Sequence, residues 1–299
     1  MFHSIHALST PLTLAQTSIA DPEARSLVVI FQGIVMGLVQ GITEFLPISS
    51  TAHLIIFRDI LGWKATWSKE AIDGIQFGSV IAVLAYFWKD FNFILKGAWA
   101  AFRSGNWQRE EWKMFVGIAI GTVPALLGGL LLKMILKKQG ITLESPALIA
   151  AMSVVMSLLL GLAEKIGSRS REFNQLQVSD GVLVGLGQMI ALLPGASRSG
   201  STLTAGLFLG LERATAARFS FLLGFPTLAI ATLVQGKDAL KETPMALPLI
   251  VGVISTIIFS YLSIAWLLKF LQNQSTWVFV WYRLGFAAFL FAAIAGKLL

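Results

Sequence analysis

The sequence contains no cysteine, which rules out disulfides, thiolate metal centres and a catalytic thiol. Histidine is nearly as scarce: His3 and His6 lie in a polar N-terminal stretch and only His53 lies in an apolar one, a poor basis for a zinc site built mainly from histidines. Charge is low as well, since 13% of the 299 residues are charged, against roughly 25% in soluble domains. Hydrophobic residues make up 56% of the chain and mean hydropathy is +0.75. A soluble globule of this length could not bury so much apolar surface, so the chain reads as one all-α integral membrane domain. The net charge of +7 fits interfacial loops facing anionic headgroups better than nucleic acid. Residues 1–26 have no basic residue before Arg25 and no compact apolar core, unlike a cleaved signal peptide. They are expected to be a disordered extension, with residues 27–299 forming the membrane domain.

A membrane-crossing helix needs about 20 mostly apolar residues. Six stretches are predicted as full spans: 71–88, 114–133, 146–163, 215–234, 246–268 and 277–297. The connector 89–113 mixes Lys89, Lys96, Arg103 and Arg109 with Phe91, Trp99, Trp107 and Trp112, a composition suited to a helix lying on the membrane surface. Two further apolar regions are interrupted. Region 27–62 is broken by Leu46-Pro47-Ile48-Ser49-Ser50-Thr51, and region 180–212 by Leu193-Pro194-Gly195-Ala196-Ser197-Arg198-Ser199-Gly200. Proline disrupts a helical turn, and irregular backbone at membrane depth persists only inside protein or beside a wet cavity. Each region is therefore predicted to be a re-entrant helix pair with a polar tip.

The two regions resemble one another. Leu46-Pro47 matches Leu193-Pro194, Ser50 matches Ser197, and Phe77-Gly78 with Lys89-Asp90 matches Leu223-Gly224 with Lys237-Asp238. The reading is a repeat of about 27–163 and 180–297. Three spans between the tips would invert the second copy and bring both tips together near the midplane.

Arg198 is the most informative residue. An arginine at membrane depth is a functional candidate by default, and its planar fork suits bidentate binding of phosphate. It is flanked by Gly195, Ser197, Ser199 and Thr202, and a following helix would aim free amides at an anion. Glu44 lies one helical turn after Gln40. Together these side chains could hold a divalent cation or position water, while Glu44 could equally pair with an arginine such as Arg198. His53, beside Ser49 and Ser50, could act as nucleophile or base, with Ser50 as the rival nucleophile. Gln76 could bind substrate or bridge helices, and Arg283 could be interfacial or supply a second charge.

The stretch from Gln40 to His53, with Pro194-Gly195-Ala196-Ser197-Arg198-Ser199-Gly200-Ser201-Thr202, resembles the two signatures of the bacterial undecaprenyl-pyrophosphate phosphatase family, known for bacitracin resistance. Gln76-Phe77-Gly78-Ser79 and Tyr282-Arg283 also match family positions, and the likeness covers 27–297. Many members carry Glu where this chain has Gln40, which leaves Glu44 more of any metal binding. The resemblance implies hydrolysis of a polyprenyl pyrophosphate to the monophosphate, recycling a carrier lipid for cell-wall synthesis in the bacterial inner membrane. It implies catalysis by Glu44, Ser50, His53 and Arg198. Substrate contacts would come from Gln40, Ser49, Gln76, Gly195, Ser197, Ser199 and Thr202. It further implies a divalent cation, Mg2+ or Ca2+, near Glu44 and Gln40, a site open to the periplasm-like face, and allows a homodimer. The competing reading is a transporter or lipid flippase, because inverted repeats with broken helices also build transporters. A phosphatase class marked by Pro-Ser-Gly-His is excluded, since that motif is absent and no histidine follows His53.

Overall fold

The computed structural model describes residues 22–140, 143, 145–242 and 246–298. Residues 1–21 of the expected extension, and the side chains of Lys237 and Asp238, lie outside the described residues. Eleven α-helices follow in chain order among the described residues: α1 Pro22–Phe45, α2 Ser50–Ile60, α3 Lys69–Tyr86, α4 Trp88–Ser104, α5 Glu110–Gln139, α6 Pro146–Ile166, α7 Val178–Gln188, α8 Arg198–Phe208, α9 Arg213–Glu242, α10 Ala246–Asn273 and α11 Trp277–Ala295.

Among the described residues, six helices have the length and apolarity to cross a bilayer: Ser26–Phe45, Glu110–Gln139, Pro146–Ile166, Arg213–Val234, Leu247–Asn273 and Trp277–Ala295. The number agrees with the sequence reading, but one member differs. Region 27–62 is not a pair of short arms. Its first arm is an uninterrupted apolar helix, and the proline break falls at the end of that helix rather than within a span. Conversely, α3 carries Lys69, Glu70 and Asp73 in its first turns, which shortens its apolar part, and it bends by 65° into α4 across Phe87. The second region does form two short arms, α7 with a 3-10 turn at Met189–Leu192, and α8, each too short to cross.

Small residues let helix backbones approach closely where lipid provides no hydrophobic drive. On α1, a Cβ at Gly33 would lie 2.6 Å from the Pro248 carbonyl oxygen of α10, and one at Gly37 would overlap the Gly252 carbonyl oxygen. On α7, Gly181 and Gly185 press equally closely on Gly117 and Gly121 of α5. Gly181 and Gly185 stand 148 residues after Gly33 and Gly37, so each half lays a glycine ridge on a long helix of the other half. The polar contacts repeat with the same offset: Gln40 Nε2 donates to Ser79 Oγ at 3.3 Å, and Gln188 Nε2 donates to Thr227 Oγ1 at 3.0 Å. Away from the tips, buried Glu164 at the end of α6 accepts from Arg213 of α9 and from both the backbone and the hydroxyl of Thr276 at the start of α11.

Candidate active site

Both tips turn the chain in the same way. Pro47 ends α1, and Ser49, at φ 76°, redirects the backbone into α2. In the second tip Gly195, at φ 91°, and Ser197, at φ 73°, lead into α8. A left-handed conformation at a non-glycine residue costs about 1–3 kcal/mol and persists only where surrounding contacts fix it. Such contacts are present. His53 Nδ1 donates to the Ser49 carbonyl at 2.8 Å, and the Ser201 hydroxyl donates to the Ser197 carbonyl at 2.8 Å. The structural counterpart of Ser197 is therefore Ser49, not Ser50, because the second tip has one more residue between its proline and its helix.

The tips meet. Arg198 Nη2 donates to Glu44 Oε1 at 2.9 Å, and its Nη1 donates to the Gly224 carbonyl of α9 at 3.0 Å. Ser199 Oγ donates to the carbonyl oxygens of Glu44 and Leu46. Arg283 of α11, only 1% exposed, bridges the tips by donating to the Pro47 carbonyl at 2.9 Å and the Gly195 carbonyl at 2.8 Å. The other carboxylate oxygen of Glu44 accepts from Gln40 Nε2 at 3.1 Å and from Ser50 Oγ at 2.5 Å. One buried carboxylate thus joins an arginine from the second half to a serine hydroxyl from the first.

A cavity of about 180 Å³ opens between the tips. Glu44, Ser50 and Gln76 line one side, and Gly195, Ser197 and Arg198 line the other. Ala191, Leu228 and Ala231 form an apolar wall. The N-termini of α2 and α8 begin at this cavity, so their positive dipole ends favour an anion.

The structure sorts the sequence candidates. Glu44, Ser49, Ser50, Gln76, Gly195, Ser197 and Arg198 line the cavity. Gln40 stands behind Glu44 and lines an adjoining chamber. Ser199 and Thr202 are buried and act on the tip itself, Thr202 by donating to the Arg198 carbonyl at 2.8 Å. His53 is 3% exposed and off the cavity wall. Its Nδ1–H is used on Ser49, its Nε2 accepts from the Tyr282 hydroxyl at 2.7 Å, and its ring stacks on Phe286 at 4.4 Å. Both nitrogens are therefore committed. The sequence marks Tyr282 and Ser79 as family-like positions, but their contacts are not legible there, because they depend on how α11 and α3 are rotated.

The donors suit a cation brought in by a phosphate ligand rather than one held by protein alone. Among the described residues no three His, Asp or Glu side chains cluster, and Glu44 is the one carboxylate on the cavity wall. Magnesium characteristically binds through one or two carboxylates plus phosphate oxygens.

Similarity to known proteins agrees with this geometry. The family described as "Bacitracin resistance protein BacA" matches residues 33–289. A protein of Thermosynechococcus vestitus named undecaprenyl-diphosphatase is 61% identical over 264 residues, covering 88% of this chain and 95% of its own length. Proteins of the same name from Trichormus variabilis and Synechocystis are 52% and 50% identical, over 90% and 89% of this chain and 85% and 82% of their own. Two proline-broken tips joined by Glu44 and Arg198 across one polar cavity, in a chain matched over nearly its whole length, place this protein in the bacitracin resistance protein family.

Proposed function

We propose that this protein hydrolyses undecaprenyl pyrophosphate, or a similar polyprenyl pyrophosphate, to the monophosphate and inorganic phosphate, as a multi-pass protein of the bacterial inner membrane. The relatives named undecaprenyl-diphosphatase support the activity, and six apolar helices support the location. The isoprenoid tail lies against lipid and the apolar wall of the cavity, while the pyrophosphate faces Arg198, Ser197 and the helix N-termini. The tips fit this task as the facing ends of inverted copies, a relation supported by the reciprocal glycine packing.

The observation that carries the mechanism is the 2.5 Å contact between Ser50 Oγ and Glu44 on the wall facing Arg198. Ser50 attacks the terminal phosphorus as its proton passes to Glu44. The bridging P–O bond breaks and the lipid monophosphate leaves. Water then attacks the phosphoserine, and inorganic phosphate departs as Ser50 regains its proton. Arg198 and the helix amides stabilise charge on the phosphoryl oxygens of the loose transition state. His53 is a positioning residue in this scheme, because it holds the Ser49 carbonyl next to the nucleophile. A divalent cation, Mg2+ or Ca2+, would be held by Glu44, and by Gln40 once its amide is turned, and when bound it neutralises phosphate charge.

Acid quench of the purified protein turning over labelled substrate tests the scheme. Acid-stable phosphoserine is the expected product, and acid-labile phosphohistidine would overturn it. Phosphate release should fall with a chelator and return with magnesium. Movement of lipid between leaflets without any phosphate release would favour transport instead.

A further inference from the structure

A glutamine-to-hydroxyl contact recurs 148 residues apart, but its two hydroxyls are left in different states. Gln40 Nε2 donates to Ser79 Oγ, and Ser79 Oγ shares a further hydrogen bond with Ser260 Oγ of α10 at 3.3 Å. All three side chains are buried, so the Ser79 hydroxyl is engaged wholly within the protein. Gln188, also buried, donates to Thr227 Oγ1 at 3.0 Å. The glycine ridges identify what stands where Ser260 would. Gly33 and Gly37 meet Pro248 and Gly252, whereas Gly181 and Gly185 meet Gly117 and Gly121, 131 residues earlier in the chain. The residue 131 before Ser260 is Gly129, which has no side chain to bond with Thr227.

A threonine in an apolar helix can turn its proton back to the carbonyl one turn earlier. Thr43, Thr122 and Thr202 do so, at 2.6, 2.7 and 2.8 Å. Thr227 does not: among the described residues, the one hydrogen bond of its hydroxyl is the bond accepted from Gln188. A hydroxyl has a single proton to donate, and here that proton has no protein acceptor. Thr227 also lines the main cavity, as Ser79 does not.

The position of Thr227 on α9 selects the part of a ligand that it meets. Arg198 rests on Gly224: it donates to that carbonyl, and a Cβ there would lie 3.6 Å from the guanidinium. Thr227 and Leu228 follow one turn later on the same face, and Ala231 one turn after them. The wall therefore runs from a cation through a hydroxyl to apolar side chains. A polyprenyl pyrophosphate has the same order: terminal phosphate, lipid-linked phosphate, hydrocarbon tail. With the terminal phosphate between Ser50 and Arg198 and the tail on Leu228 and Ala231, the lipid-linked phosphate falls at Thr227.

We propose that Thr227 donates its hydroxyl proton to the lipid-linked phosphate, and that Gln188 is the positioning residue that holds the Thr227 oxygen. The proposal rests on the hydrolase reading. The lipid monophosphate product keeps this contact, whereas inorganic phosphate never makes it. The test uses the purified full chain in detergent, a polyprenyl pyrophosphate as substrate, and polyprenyl monophosphate or inorganic phosphate as inhibitor. Thr227→Val removes the donor at nearly constant size. It should need about tenfold more lipid monophosphate for half-inhibition, as expected for losing a hydrogen bond to a charged group. Inorganic phosphate should inhibit this variant as it does the wild type, which also shows that the terminal-phosphate site is still folded. Thr227→Ser keeps the hydroxyl and should restore inhibition by lipid monophosphate. Unchanged inhibition by lipid monophosphate in Thr227→Val overturns the proposal. So does an equal loss for both inhibitors, which would give Thr227 a role in packing or at the terminal phosphate instead. Calorimetry with lipid monophosphate alone distinguishes the two readings. A wild type that binds it more tightly than Thr227→Val, yet releases no phosphate from the pyrophosphate, refutes the hydrolase reading and leaves the contact standing. A wild type that turns over but binds it no more tightly than Thr227→Val refutes the contact.

Discussion

Glu44 is 7% exposed and each of its oxygens accepts a donor, one from Arg198 and the other from Gln40 and Ser50. Exchanging it for glutamine keeps the shape and removes the base. Glu44→Gln should lower phosphate release by about 10²–10⁴-fold, the usual contribution of a positioned base, with an unchanged gel-filtration profile in detergent. Retention of more than a tenth of wild-type activity would exclude Glu44 as that base. Arg283 makes a different argument. It donates to carbonyls of both tips and of α6, a task that needs the spread of a guanidinium. Arg283→Lys should therefore lower melting temperature and phosphate release together, whereas loss of activity at wild-type melting temperature would give Arg283 a direct role at the phosphate. Glu44 and Arg198 are legible in the sequence because an ionised group in an apolar segment needs a partner or a ligand. The same logic leaves the setting of His53 unread. Sequence proximity to Ser50 does not reveal that one helical turn rotates the imidazole away from the cavity and onto Tyr282 and Phe286.

Among the elements, helix contacts are set by what glycine permits. A Cβ on Gly185 would overlap the Gly121 carbonyl oxygen, backbone that cannot move without separating α5 from α7. A Cβ on Gly285 of α11 would meet nothing within 4 Å. Gly185→Ala should therefore reduce the yield of monodisperse protein and its melting temperature. Gly285→Ala should leave both unchanged or raise melting temperature slightly, as alanine does at an open helical site. Equal effects of the two substitutions would mean that the α5–α7 ridge contributes no specific packing. Element boundaries are legible where apolar length decides them, as in α6 and α11. They are ambiguous where a break sits close to the end of an apolar run. Pro47 could divide a hairpin or terminate a full span, and only the packing of α1 along α10 selects the second.

For the whole molecule, paired contacts away from the tips recur as well, at an offset of 148 residues. The Gln40–Ser79 and Gln188–Thr227 bonds occupy matching places, yet Glu44 has Leu192 at its offset of 148, so a common scaffold carries the carboxylate in one half only. The recurrence is legible in the sequence at the proline tips. The glycine ridges and amide bonds are not, because small and amide residues are too common in apolar helices to stand out before their partners are known. The scaffold is also secured far from the chemistry. Ser153 of α6 accepts from Arg283 beside the tips, and Glu164 lies about 16 Å further along α6 at 1.5 Å per residue. There Glu164 joins α6 to Arg213 of α9 and Thr276 of α11. Glu164 is buried while Arg213 is 28% exposed, so losing this pair costs less than the about 3–5 kcal/mol of a fully buried one, and the Thr276 hydroxyl loses its acceptor as well. Glu164→Ala should therefore lower melting temperature markedly, while the protein that remains folded at low temperature keeps the wild-type KM for lipid. A changed KM in that folded fraction would mean that this distant contact sets the spacing of the tips, and that the scaffold and the site are not separable.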